Sequence, residues 1–195
     1  MRRISRQFTA LVVAVAFVCV APSVATPPSA QPGWQAKVKQ ALPLLGHRNW
    51  ILVVDSAYPL QTSPGVEIME TNASQPEVLA YVLHAIDNSI HVRPIVYMDA
   101  ELPFVTEQDM PGVTAYRKQL QQILGQRPVH SMLHEQLLQR VEETGKSYDV
   151  LILKTNLAIP YTSVFLQLDC KYWSANSDAE TRLRKAMKQA DVGQP

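Results

Sequence analysis

His47 and Asp55 flank one apolar run of the sequence and carry side chains suited to proton transfer and to hydroxyl binding. An imidazole can give or take a proton near neutral pH. A carboxylate fixes hydroxyl groups through charge-assisted hydrogen bonds. Each residue also has a structural interpretation, because a histidine at a helix end can neutralise the helix dipole and an aspartate can form a turn. His47 is therefore a candidate acid/base, and Asp55 a candidate anchor.

The run between them, Trp50-Ile51-Leu52-Val53-Val54, consists of β-forming residues and is short, which predicts a buried strand. Because a strand advances about 3.3 Å per residue, the side chains of His47 and Asp55 are expected on the order of 20–25 Å apart within one chain. A small ligand that contacts both requires two chains or a sharply folded loop. We favour a site shared between neighbouring subunits.

The rest of the chain alternates strand and helix patterns, which predicts the α/β class in a single domain. The sheet is expected to be mixed and largely parallel, flanked by helices. Pro94 favours an edge strand or a strand that begins there. Predicted helices cover 36–45, 74–88 behind a Ser74 cap, Asp109 or Thr114 to Leu124, and 133–143. Predicted strands cover 50–55, 66–70, 92–98, the region of Val129, 148–153 and 162–168.

The first residues have the pattern of a secretory signal peptide. Three arginines precede the apolar stretch 8–21, and Ser23-Val24-Ala25 provides small residues for cleavage. This predicts a signal peptide over 1–25, a spacer over 26–35 and export to the periplasm or the medium. The alternative is an uncleaved membrane anchor, although the stretch is shorter than the ~20 residues that a membrane span needs.

After the spacer we predict an α/β domain over 36–173 and a helical extension over 174–195. The extension begins with the capping box Ser177-Asp178-Ala179-Glu180, which predicts an extra C-terminal helix over 178–189. This helix lies outside the alternating pattern and is a candidate packing arm between subunits. No other long apolar run follows the leader, so no membrane association is expected after cleavage.

Composition excludes some partners. The net charge is +1, and no block of like charge follows the first six residues, which argues against nucleic-acid binding. Cys19 lies in the leader, so Cys170 has no partner for an internal disulfide in the mature chain. His130 and His134 have a spacing that could place them on one helix face and hold zinc, but no metalloprotease motif accompanies them. His134 is alternatively a solvated helix residue.

Three segments in order carry a family resemblance. The first segment consists of Leu45-Gly46-His47-Arg48-Asn49, the apolar run, and Asp55-Ser56-Ala57-Tyr58-Pro59. The second is VRPIVYMDAE at 92–101. The third is LILKT at 151–155, followed by PYTSVFL at 160–166. This order resembles the D-ribose pyranase and L-fucose mutarotase family over roughly residues 36 to 173. The resemblance implies a small α/β fold in a ring-shaped homo-oligomer. It implies an isomerase that interconverts cyclic forms of a free monosaccharide without metal or cofactor.

The resemblance also assigns site residues. It makes His47 the proton-transferring residue and Asp55 a ligand of sugar hydroxyls. Tyr161 would lie in the sugar pocket, in the segment that includes Ser163, although a tyrosine after a proline can also be a packing residue. A further sugar-binding residue at the start of the helix before the penultimate strand is His130 or His134.

Some positions differ from the family pattern, and the chain continues past the usual end of the family. The differing residues are Asn49, Asn156-Leu157 and Ser163. These differences support a second hypothesis, a catalytically silent monosaccharide-binding or assembly protein on the same scaffold. A third is an exported α/β domain of unrelated function.

Overall fold

The computed structural model describes residues 33–174 and 177–190. The predicted signal peptide and most of the spacer lie outside the described residues. In the described part of the chain, no helix has the length and apolar character needed to cross a bilayer. The elements in chain order are α1 (Trp34–Ala41), β1 (Trp50–Val54), β2 (Val66–Glu70), α2 (Gln75–Asn88), β3 (Val92–Asp99), α3 (Val113–Leu124), β4 (Val129–Met132), α4 (His134–Gly145), β5 (Val150–Lys154), β6 (Val164–Cys170) and α5 (Asp178–Gln189).

The strands form one six-stranded sheet in the order β2-β5-β1-β6-β3-β4. Strand β6 runs antiparallel to both of its neighbours, and the other strands run parallel to one another. The prediction of a mixed, largely parallel α/β sheet is confirmed. The parallel strands end at one edge of the sheet, here called the carboxyl edge, where β6 begins. They start at the opposite amino edge, where β6 ends.

Strand β1 lies at the centre of the core because both of its faces are buried. Alternate side chains of a strand point to opposite faces. Ile51 and Val53 pack in the cluster formed with α1, α2 and α3, whereas Trp50, Leu52 and Val54 pack in the cluster that includes residues of α4. Burying each such side chain stabilises the fold by about 1.5–3 kcal/mol. The residues directly before and after β1 are therefore attached to a strand that is buried on both faces.

The boundaries of two helices differ from the predictions. Helix α1 ends at Ala41, two residues before Pro43, rather than continuing to 45. Helix α3 begins at Val113 after Gly112, whose φ of 94° is easily adopted only by glycine. The prediction that Asp109 opens this helix is wrong. Asp109 instead accepts a hydrogen bond from the Thr106 hydroxyl at 2.5 Å in the preceding loop, while its backbone N–H donates to the same hydroxyl.

Pro94 lies within β3, which begins at Val92 and has a neighbour on each side. The prediction that its strand is an edge strand or begins at the proline is therefore wrong for the strand as a whole. The local pairing explains how the proline is tolerated. Strand β4 pairs with β3 only from Val96 onward, so Pro94 pairs with β6 alone, opposite Leu168. A missing N–H is acceptable where the strand has one neighbour.

The extra C-terminal helix is present as α5. The Ser177 hydroxyl accepts a hydrogen bond from the Glu180 N–H at 3.1 Å, as the capping box predicts. No residue of α5 is buried. The helix is joined to the end of β6 through Trp173, whose indole N–H donates to the Glu180 carboxylate at 2.6 Å.

Candidate active site

Asp55 follows β1 directly and lies at the carboxyl edge. One carboxylate oxygen accepts the Ala57 N–H at 2.9 Å, and the other accepts the Ser163 hydroxyl at 3.1 Å. The first bond is an Asx turn, so the turn-forming interpretation of Asp55 is correct. The second bond brings Asp55 together with Ser163 at the start of β6. With Asp55 only 8% exposed, its carboxylate is held in a fixed orientation at this edge.

A second carboxylate, Asp99, ends β3 at the same edge. Its Oδ1 lies 3.2 Å from Nδ1 of His134, and its Oδ2 is buried without a hydrogen-bond partner among the described residues. Burial, the largest cause, raises the pKa of Asp99 to about 6. The nearby His134 opposes this rise, whereas the negative charges of Glu101 and Asp55 add to it. The carboxyl edge thus contains an acid that titrates close to neutrality.

His134 is the first residue of α4 and is fixed at both backbone and ring. Its backbone N–H donates to both carboxylate oxygens of Glu101, at 3.0 and 3.1 Å. A carboxylate at a helix N-terminus also stabilises the helix dipole. The ring packs edge to face against Tyr161, with centroids 5.5 Å apart. The side chain is 24% exposed, and Nε2 has no protein partner among the described residues.

Tyr161 is held in place by its neighbour Thr162. The Thr162 carbonyl accepts hydrogen bonds from the Tyr116 hydroxyl, at 2.9 Å, and from the Gln75 amide. Tyr161 itself adopts φ 58°, a left-handed conformation that costs a non-glycine residue of order 1–3 kcal/mol and is concentrated at functional sites. Tyr161 is 37% exposed. A rigid anchor therefore presents a partly exposed aromatic ring beside His134.

Two tyrosines near the carboxylates stay neutral. Burial raises the pKa of Tyr58 far above its usual range, and the charges of Asp99 and Asp55 raise it further. Burial and the same two carboxylates raise the pKa of Tyr116 in the same direction. Because the carboxylates make the surroundings negative, the site favours neutral ligands rich in hydroxyl donors over anionic ligands.

His47 lies at the amino edge, at the other end of β1. Its Nδ1 is 3.3 Å from a carboxylate oxygen of Asp169, and its Nε2 accepts a hydrogen bond from Arg48 Nε at 3.2 Å. The side chain of Asn49 accepts the Gly46 N–H at 2.7 Å, which closes the turn that carries His47. His47 and Asp55 are thus separated by the length of β1, as predicted from the sequence, and the chain does not bring them together.

The surroundings of His47 differ from those of Asp55. Asp169 also accepts two hydrogen bonds from Arg93, at 2.9 and 2.6 Å. Partial burial raises the pKa of Asp169, but the Arg93 hydrogen bonds, the Cys170 N–H and the Arg93 charge outweigh it, so the pKa lies below its usual range. A cleft of about 460 Å³ adjoins His47, with Tyr172 and Trp173 among the lining residues.

His130 is exposed in β4, where its ring lies 5.2 Å from the ring of Tyr97. His134 opens α4, so the prediction that the two histidines share a helix face is wrong: the strand ends between them. Within residues 33–174 and 177–190, no group of three or more His, Cys, Asp and Glu side chains could hold a metal ion. By position, His134 and not His130 opens the helix before the penultimate strand β5.

Sequence reasoning missed Asp99, Glu101, Tyr58 and Tyr116 as parts of this site. The sequence did contain a signal for Asp99, because this residue comes at the end of a predicted strand, as Asp55 does. The carboxyl ends of parallel strands meet at one edge of the sheet, where ligands bind. Glu101 had a weaker signal, as an acidic residue two positions later. No local pattern marks Tyr116, which reaches the site from the middle of α3 through a bond to Thr162.

Comparison with known proteins gives one family match. The sequence pattern of the RbsD / FucU transport protein family matches residues 31–170. No curated protein matches the chain significantly. Among solved structures, Bacillus subtilis RbsD complexed with D-ribose is 16% identical, with a TM-score of 0.49, covering 68% of this chain and 90% of that chain.

Two further solved structures are similar. The fucose mutarotase of Streptococcus pneumoniae, in complex with L-fucose, is 19% identical with a TM-score of 0.46, covering 67% of this chain and 89% of that chain. FucU of Bifidobacterium longum is 16% identical with a TM-score of 0.44, covering 68% of this chain and 92% of that chain. The match of the family pattern extends from before α1 to the last residue of β6 and leaves α5 outside it.

Proposed function

The chain belongs to the RbsD / FucU transport protein family, and from this membership we propose that it is a sugar mutarotase or pyranase that interconverts cyclic forms of a free monosaccharide. The observation that carries the proposal is the cluster at the carboxyl edge. There Asp55 accepts a hydrogen bond from Ser163, and its negative charge raises the pKa of Asp99. Asp99 in turn contacts His134. Carboxylates, an imidazole and an aromatic ring are the groups that bind and deprotonate a polyhydroxy ligand.

The chemistry needs two proton transfers. When a pyranose or furanose opens, a base removes the proton of the anomeric hydroxyl while an acid protonates the ring oxygen, and closure reverses both transfers. We assign one transfer to His47, the catalytic residue implied by the family resemblance. Asp55 and Ser163 bind sugar hydroxyls, and Tyr161 and His134 line the pocket. No metal or cofactor is needed for these steps.

A site that uses both His47 and Asp55 requires two subunits. Within one chain the two residues lie at opposite edges of the sheet, beyond the reach of one sugar. We propose that a neighbouring subunit contributes His47 to the carboxyl edge, in a ring-shaped homo-oligomer. We also propose, from the leader sequence alone, that the protein is exported to the periplasm or the medium.

Saturation-transfer NMR of the purified protein with ribose, fucose, galactose and glucose tests the function, because it measures exchange between ring forms or anomers at equilibrium. We expect faster exchange for at least one sugar, lost in His47→Ala. His84→Ala is the control, since His84 lies on α2 and bonds to Asn88 on the same helix. No acceleration for any sugar, together with saturable sugar binding, would support the silent binding scaffold instead.

A further inference from the structure

We infer that Asp99 is a positioning residue that fixes the tautomer of His134 and thereby makes His134 Nε2 a proton acceptor within the carboxyl-edge site. The catalytic part of this inference rests on the proposed function. The tautomer does not, and it can be measured without any sugar.

The contact between the two side chains determines where the imidazole proton lies. A carboxylate oxygen can only accept a hydrogen bond, so Nδ1 of His134, 3.2 Å from Asp99 Oδ1, carries the proton. The neutral ring then has its lone pair on Nε2. Glu101 holds the backbone N–H of the same residue and so fixes the start of α4, while the contacts of the ring with Asp99 and Tyr161 orient the side chain. Nε2 of this partly exposed side chain is therefore the nitrogen left to act as a base.

A second Asp–His contact, that of His47 with Asp169, shows why this arrangement matters. His47 faces Asp169 through Nδ1, but its Nε2 already accepts a hydrogen bond from Arg48. A sugar proton would have to displace Arg48 before reaching that lone pair. His134 has no such competitor among the described residues. Of these two histidines, His134 is the one whose Nε2 needs no rearrangement to accept a proton.

The charges around Asp99 favour the protonated product. Asp99 is 2% exposed, and the ionisable groups that face it are Asp55 after β1, Glu101 after β3, His134 on α4, Tyr58 in the loop after β1 and Tyr116 on α3. Two of these groups, Asp55 and Glu101, are carboxyls, and Asp99 itself is a third. They stabilise the imidazolium that forms when Nε2 accepts a proton. Asp99 is therefore placed both to fix the tautomer of neutral His134 and to stabilise the positive charge of its imidazolium.

The step balances without any oxidant or reductant. Nε2 takes the proton of the anomeric hydroxyl, and the freed O–H electron pair forms the C=O bond of the open-chain sugar. The bond between the anomeric carbon and the ring oxygen breaks, and its electron pair goes to the ring oxygen. That oxygen takes a proton from His47 of a neighbouring subunit, which acts in this step in its protonated form, with its Nε2 released from Arg48. Closure on the opposite face returns both protons to their donors.

Proton-detected nitrogen-15 NMR of the full protein tests the tautomer directly, with His134→Gln to assign the signals. We expect the Nδ1–H form in the wild type. In Asp99→Asn the amide can donate to Nδ1, so we expect the Nε2–H form to become populated. Asp169→Asn is the matched control, which alters the signals of His47 and leaves those of His134 unchanged. A wild-type His134 in the Nε2–H form would overturn the inference.

Kinetics separate positioning from a structural role. With the sugar that wild type accelerates, we expect Asp99→Asn to lower the exchange rate at saturation by about 10²-fold or more with little change in KM. Protonation of Asp99, whose pKa is about 6, lowers the wild-type rate on the acidic side, and this contribution should be absent from the pH profile of Asp99→Asn. Asp99→Glu should recover part of the rate. A loss confined to KM, or an unchanged pH profile, would overturn the inference.

The two proposals fail in different ways. If wild type accelerates no sugar, the proposed function fails, and the tautomer measurement still decides the role of Asp99. If wild type is active and its His134 carries the proton on Nε2, the function stands and the inference fails.

Discussion

The hydroxyl of Ser163 donates a hydrogen bond of 3.1 Å to Asp55, and this bond ties the end of β1 to the start of β6. Both residues are buried. Since β1 and β6 are antiparallel neighbours in the sheet, the bond lies just beyond their last paired residues, Val53 and Val164. It sets the orientation of the carboxylate that we propose as a sugar ligand.

Removing this hydroxyl should destabilise the fold. In Ser163→Ala one oxygen of the buried Asp55 carboxylate loses its partner, and an unsatisfied buried acceptor costs about 1–3 kcal/mol. We expect the free energy of unfolding to fall by about that amount in urea denaturation at neutral pH.

Thr106→Ala provides the matched control, because the Thr106 hydroxyl also donates to a carboxylate, that of Asp109, but on the surface. Its loss should change stability by no more than about 0.5 kcal/mol. A loss in Ser163→Ala as small as that expected for Thr106→Ala would contradict a buried hydrogen bond at Asp55.

Asp99 should make the protein less stable as the pH rises. Its folded-state pKa of about 6 lies above the ordinary carboxyl value, so folding favours the protonated form. Its contribution to stability is complete below pH 4 and is lost as the pH rises to about 6, amounting to about 2–3 kcal/mol by linkage. Asp99→Asn does not titrate. The stability of this variant relative to wild type should therefore increase between pH 4 and pH 7 in denaturation curves.

The contribution of Asp169 to stability should depend on pH in the opposite direction, so this residue provides a comparison. Its pKa is lowered, so the contribution of its ion pair with Arg93 is present above the ordinary carboxyl pKa and is lost as the pH falls through the lowered folded-state value. Asp169→Asn should be less stable than wild type at pH 7, and the difference should shrink in acid. If both aspartates gave differences of the same sign, the burial assigned to Asp99 would be incorrect.

The shared site predicts complementation between inactive variants. His47→Ala and Asp55→Ala should each be inactive alone. Random mixing of unfolded subunits in equal amounts, followed by refolding, should restore about one quarter of the wild-type activity, because that fraction of shared sites receives both intact residues. Mixing folded oligomers without exchange is the control. Activity that stays at the level of the single variants would place both residues of each working site in one subunit.

The contact between Trp173 and Glu180 should hold α5 against the end of β6. Glu180→Ala removes the acceptor of the indole N–H, whereas Glu180→Gln keeps one. We expect acrylamide to quench the fluorescence of Trp173 more strongly in Glu180→Ala and nearly as in wild type in Glu180→Gln. The other tryptophans, Trp34 and Trp50, are buried and add a constant background. Identical quenching in all three proteins would contradict the contact.

Local sequence patterns predicted the α/β class and the places of the strands because apolar runs and turn residues are short-range signals. The same patterns placed Asp55 correctly after β1. They misjudged Pro94, because which strand has a neighbour at which residue depends on pairing between distant segments. The start of α3 was missed because Gly112, rather than an acidic cap, allows the chain to enter the helix.

The site was only partly predictable for the same reason. His47 and Asp55 stood out because they bracket one strand. Asp99 was overlooked, since its importance comes from burial and from contact with His134, and neither is visible in the residues next to it. The choice between His130 and His134 depended on where β4 ends, a boundary that no local signal fixed.

The position of β1 in the sheet also determines how the protein can fold. Its neighbours β5 and β6 lie about a hundred residues later in the chain, with Trp50 opposite Val150 and Gln167. The centre of the sheet cannot form until most of the chain has been synthesised, and closing such long loops slows folding. We expect slow refolding and aggregation-prone intermediates that expose the apolar strand 50–54, and a chain truncated before β5 should not fold at all.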